Sequence, residues 1–182
     1  MTQAAATTHK INHSISAMRL WEKLPEGTLA EVIYGKLYIL CMPERYHQKI
    51  AGDLFGELWL FAKTTGVGSA YIMNTGVFLN EGSDVVGPDV VFITNNNNLC
   101  AIDDKGLFGP PDLIIEVLSS NKKHDRVLKL ELYEKAGVRE YWIVDPETKD
   151  SFGFLLKNNR YDEPLLMNAM INIRILNKTI NF

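Results

Sequence analysis

The sequence predicts an α/β domain built on a mixed central sheet, and three observations carry that expectation. Two nearly unbroken apolar runs, at residues 88–94 and 112–118, read as strands buried on both faces and hence central. A stretch opening at His47 places Ile50, Leu54, Phe55, Leu58 and Phe61 at helical spacing. A second helical stretch, residues 124–136, separates the second apolar run from a third at residues 140–144. Strand, helix, strand in that order is how a layered α/β fold is written.

Taken from the N-terminus, residues 1–17 are polar and rich in Ala and Thr, and are expected as a disordered lead. Residues 18–182 are expected as a single domain, because a chain of this length suffices for one well-formed core and falls short of two. Residues 18–24 suggest a short amphipathic helix. Residues 29–40 alternate in two runs about Tyr34-Gly35, the pattern of a β-hairpin. A connector at 43–46 leads into the helix that opens at His47, which Gly66 and Gly68 stop. Residues 70–73 and 76–79 read as short strands, and 95–104 as a polar loop holding a run of Asn. Ser119, Ser120 and Asn121 offer caps for the second helix. Its buried side is expected to hold Val127, Leu128, Leu130 and Leu132 before Gly137 ends it. From residue 152 onward the alternation weakens into edge strands and turns.

Bulk properties narrow the function. Apolar residues at 46% and charged ones at 23% describe an ordinary soluble globular chain. A net charge of -3 excludes a wholly basic surface, so any nucleic-acid contact must use a local patch. Cys41 and Cys100 lack paired spacing and fit free thiols in a reducing compartment better than a disulfide or zinc site. No apolar run reaches the roughly 18 residues that span a bilayer, and the N-terminus lacks the apolar core of a secretory signal. The expectation is a cytoplasmic protein with no membrane contact.

The chemistry is suggested by two acids. Glu116 stands among Ile114, Ile115, Val117 and Leu118, where an ionised carboxylate is costly unless a cation meets it. Asp89 opens the other central run. If the two strands are neighbours, both carboxylates can share Mg2+, or Mn2+ in its place, with the backbone carbonyl of Val117 beside them. Such an ion polarises a phosphate and lowers the pKa of an attacking water. Lys129 can supply the cation that hydrolysis also needs: Asp125, Lys129 and Tyr133 recur every four residues and so share one helix face. Blander readings stand beside these. Asp89 after Pro88 serves equally as a strand-start residue, Glu116 and Lys129 as a buried ion pair, His47 as a helix-start residue, and Tyr133 as core.

A Pro-Asp strand, then a Glu strand, then a lysine resembles the PD-(D/E)xK nuclease fold. More narrowly, the run Pro111-Asp-Leu-Ile-Ile-Glu-Val-Leu-Ser119 is similar to the Uma-two family of restriction-endonuclease-like proteins. Asp125, Lys129 and Tyr133 follow it, and then Gly137-Val-Arg-Glu-Tyr-Trp-Ile-Val-Asp-Pro146. The resemblance runs from about residue 20 to about residue 155. It implies a restriction-endonuclease-like mixed sheet flanked by helices, preceded by the hairpin, in a Mg2+-dependent DNA endonuclease that works as a homodimer. It implies Asp89 and Glu116 as metal ligands and Glu31 as an outer acid, with His47 at the rim of the site. Leu118 occupies the place of the usual strand lysine, and Lys129 stands in for it from the helix. The alternative is a nuclease fold without catalysis that binds nucleic acid or protein.

Overall fold

The structure is a computed structural model that describes residues 16–119 and 122–182, with side chains outside 122–126. Most of the expected lead, with His9 and His13, lies outside the described residues, as do the caps at Ser120 and Asn121. The side chains of His124 and Asp125 do too. Helix α1 (Ala17–Trp21) begins just inside the expected lead, because the Ser16 side chain accepts the Arg19 N–H and caps it.

Strands β1 (Ala30–Ile33) and β2 (Lys36–Ile39) form the expected hairpin. Its two turn residues, Tyr34 and Gly35, both have positive φ, 49° and 72°. That is the turn geometry whose twist matches the flanking strands. Tyr34 pays a steric cost there, offset by an N–H bond of 2.6 Å to Asp84 Oδ1. Helix α2 (Arg45–Thr65) buries His47, Ile50, Ala51, Leu54, Leu58 and Ala62 along one stripe and ends at Gly66 in the left-handed conformation.

Next come β3 (Gly68–Ile72), β4 (Val77–Leu79), β5 (Asp84–Val86), β6 (Val90–Thr94), β7 (Ala101–Asp103), β8 (Gly106–Phe108) and β9 (Leu113–Val117). Helix α3 (Lys122–Ala136) crosses from β9 to the parallel strand β10 (Glu140–Val144). The chain closes with β11 (Asp150–Lys157), β12 (Arg160–Tyr161), β13 (Leu165–Asn168), β14 (Met170–Ile173) and β15 (Lys178–Asn181).

The central sheet is mixed, as expected, in the order β12-β11-β10-β9-β6-β3, with β13 also on β11. A second sheet, β2-β1-β5-β4-β8-β7, extends the N-terminal hairpin, and β14-β15 form a separate ribbon. Strands β5, β7 and β8 lie where sequence shows no strand pattern. Each has three residues, and β7 is wholly exposed.

The alternation along the central strands splits the core in two. Val90, Phe92, Leu113, Ile115, Trp142 and Val144 pack on one face against Ile50, Leu54 and Leu58 of α2. Val91, Ile93, Ile114, Tyr141 and Ile143 pack on the other against Leu132 and Tyr133 of α3 and against Val77 and Val86 of the second sheet. Of the residues expected on the buried side of helix α3, Leu132 is buried and Leu128 and Leu130 pack against the core, while Val127 is 69% exposed and Lys129 and Tyr133 are buried as well. Residues 129, 132 and 133 form one stripe, and Val127 points nearly opposite to it.

Candidate active site

Strands β6 and β9 are antiparallel neighbours with Val90 opposite Ile115 and Val91 opposite Ile114. Asp89 immediately precedes Val90, and Glu116 immediately follows Ile115, so the two acids meet across the strand pair. Asp89 continues the alternation of Val91 and Ile93, and Glu116 that of Ile114, so both project to the face covered by α3. Both line a cleft of about 1330 Å³, together with Glu31, His47, Val117 and Lys129. Every residue expected at the site therefore reaches one space.

Each carboxylate is gripped through one oxygen. Asp89 Oδ2 accepts the Val117 N–H at 2.7 Å and lies 3.2 Å from His47 Nε2. Glu116 Oε1 accepts from Lys129 Nζ at 3.0 Å and from the Tyr133 hydroxyl at 2.7 Å. Glu31 Oε1 accepts from Lys129 Nζ at 2.9 Å and from the Gly87 N–H at 3.0 Å. Val117 thus holds Asp89 through its amide, and its backbone carbonyl also acts to raise the pKa of His47. His47 is both a buried helix-start residue and a partner of Asp89. Its Nδ1 is the buried side-chain nitrogen left unpartnered among the described residues.

Tyr133 does more than its expected packing. Its ring stacks edge-on against Tyr141, and its hydroxyl also fixes Glu116. The four-residue step from Lys129 was the sequence feature that pointed to this role. Asp112, by contrast, stays structural: it accepts from the Thr94 N–H and hydroxyl and from Arg139.

Three carboxylates, Glu31, Asp89 and Glu116, face one amine and one imidazole. The Glu116 carboxyl is raised to about 7: burial pushes it up, Lys129 pulls it back, and Asp89 and Glu31 push it up again. Burial alone would lower the Lys129 amine, but the charges of Glu116 and Glu31 outweigh it and hold it well above the ordinary lysine range. Burial also acts to lower His47, and the Asp89 hydrogen bond and charge more than offset it. Among the described residues, once Glu116 is ionised, the cleft carries more negative charge than the Lys129 amine neutralises.

That surplus, presented by oxygen donors, fits a hard divalent cation. Among the described residues no group of three or more His, Cys, Asp or Glu side chains is placed to hold a metal ion. Two adjacent carboxylates completed by water are the donor set Mg2+ uses.

Comparison with known proteins bears on the family and the fold. The Uma2 family model, described as "Putative restriction endonuclease", matches residues 17–176. A crystal structure from Anabaena variabilis, titled a "putative nuclease belonging to DUF820", aligns with a TM-score of 0.71 at 18% identity. The alignment covers 90% of this chain and 91% of that one, and at this identity it speaks to the fold alone. No curated protein matches the chain.

Proposed function

The chain belongs to the Uma2 family, and on that premise we propose that it is a Mg2+-dependent nuclease hydrolysing phosphodiester bonds of DNA. One observation carries the reading: Asp89 and Glu116 meet on one face of adjacent strands, with Lys129 3.0 Å from Glu116 in the same open cleft. Bound there, the ion would polarise the scissile phosphate and lower the pKa of a water. Asp89 and Glu116 would hold it, with the Val117 carbonyl beside them and Mn2+ as an acceptable substitute. His47 and the Val117 amide fix Asp89 through Oδ2, and Tyr133 fixes Glu116 through Oε1, which sets how each carboxylate faces the cleft. Lys129 offsets the negative charge that grows on the phosphoryl oxygens as the bond breaks. No helix of the described residues is long and apolar enough to cross a membrane. The proposed setting is a cytoplasmic homodimer acting on nucleic acid, which gel filtration with light scattering checks for dimerisation.

The test is incubation of purified protein with plasmid and Mg2+ or Mn2+, beside Asp89→Ala and Glu116→Ala. Metal-dependent cleavage lost in both variants is the expected result; cleavage that persists in both overturns it. The second reading, a nuclease fold that binds nucleic acid without cutting, is favoured by Leu118 at the place of the strand lysine. It gains if DNA binds and no divalent ion promotes cleavage.

A further inference from the structure

Glu31 belongs to a different sheet from Asp89 and Glu116, yet its carboxylate sits at the junction of all three. Its Oε1 takes two donors, the Gly87 N–H at 3.0 Å and Lys129 Nζ at 2.9 Å, and the residue is 2% exposed. Gly87 opens the Gly-Pro-Asp turn that delivers Asp89 to the site. Lys129 is shared almost evenly between Glu31 and Glu116, at 2.9 and 3.0 Å. One amine therefore joins a carboxylate of the hairpin sheet to a carboxylate of the central sheet.

We infer that Glu31 is a positioning residue for Lys129 rather than a ligand of the ion. It holds the amine over Glu116 when a divalent cation claims that carboxylate. The inference rests on the nuclease reading above. An ammonium and a divalent cation repel, and in a poorly solvated cleft the repulsion is strong. With Glu116 as its sole partner, Lys129 loses its counter-charge when the ion arrives and swings toward water. Glu31 supplies a second counter-charge, so the amine has a partner with or without the ion. Its Oε1 is anchored by the Gly87 amide and Lys129 together, which fixes the carboxylate where it meets the amine.

Glu31→Gln separates the two roles. The amide is nearly isosteric and its carbonyl still accepts from Gly87, so the hairpin stays anchored while the charge is lost. Ca2+ affinity is measured by calorimetry in the wild type, Glu31→Gln, Lys129→Gln and the double variant. Reductive methylation of Lys129, read by peptide mass, follows the exposure of the amine in the wild type and Glu31→Gln with Ca2+ saturating. The expected results are Ca2+ affinity within about threefold on introducing Glu31→Gln into the Lys129→Gln background, and Lys129 labelling about fivefold faster in Glu31→Gln. Plasmid cleavage with Mg2+ falls about a hundredfold in each single variant and no further in the double. A loss of about tenfold or more in Ca2+ affinity on that background makes Glu31 a ligand and overturns the inference. Unchanged labelling of Lys129, or cleavage losses that add, overturns it as well. Asp89→Asn controls for the parent reading: Ca2+ binding that survives it removes the nuclease assignment, whereas the Glu31 inference fails on the lysine readouts. A wild type that binds no Ca2+ overturns both.

Discussion

Glu116 and Glu140 occupy adjacent central strands, both are buried, and burial raises both carboxyls above their ordinary value. Their surroundings differ in kind. Glu140 accepts from the Trp142 indole at 2.8 Å and from the Arg174 and Ile175 amides at 3.0 Å each. Its oxygens are spent on fixing the turn before β15, and these three bonds pull its pKa back down. Glu116 instead shares its one amine with Glu31, faces Asp89, and opens on a cleft. A buried acid whose donors match its charge is a structural part. A buried acid with a surplus of like charge around it is waiting for a cation.

The largest expected effects test that distinction directly. Asp89→Asn and Glu116→Gln should each lower metal-dependent plasmid cleavage by about a thousandfold. Glu116→Gln should match the wild type's unfolding free energy within about 1 kcal/mol near pH 4, where the acid is protonated, and exceed it by up to about 3 kcal/mol at pH 7, because the amide resembles the protonated acid the fold already tolerates. Glu140→Ala should do the reverse. It strands two backbone N–H groups and an indole N–H in the interior, costing about 3 kcal/mol or more by denaturant titration, while cleavage per folded molecule stays unchanged.

The pH dependence sharpens the contrast. Glu116 keeps its proton up to about 7 in the ion-free folded protein, whereas the unfolded chain releases it near 4.5. The folded state binds the extra proton in that window, so stability falls as pH rises through it and is flat above. The drop amounts to at most about 3 kcal/mol. It should be missing from Glu116→Gln, as urea titrations of both proteins from pH 4 to pH 8 would show. A pH profile identical in the two proteins would place the proton elsewhere. The smallest effect belongs to Tyr133→Phe, which leaves Lys129 on Glu116 and removes one donor. Divalent-ion affinity should weaken about tenfold by calorimetry, with about 1 kcal/mol lost in stability.

How much of this was legible in the chain depends on the length of the signal. The central strands and both long helices were readable because their apolar patterns run for five residues or more, and the hairpin because Tyr34-Gly35 interrupts an alternation. Strands β5, β7 and β8 were not, since their pairing is set by distant partners such as Val32 with Val85. The convergence of Asp89, Glu116 and Lys129 could be anticipated, because an acid inside an apolar strand demands a cation and the following helix offers one. The exposure of Val127 could not, because Val127 and Leu128 look equally apolar in sequence. Glu31 itself was visible through resemblance, yet its hold on Lys129 depends on how two sheets pack, which no local pattern encodes.

The account stands on a cation-hungry pair of acids at one point of the central sheet. Calorimetric titration of Mg2+ and Mn2+ into the wild type, Asp89→Asn and Glu116→Gln tests it most directly. One ion per chain in the wild type, lost in either variant, is the result that follows from the geometry. A wild type that takes up no ion, or variants that bind as it does, would contradict it.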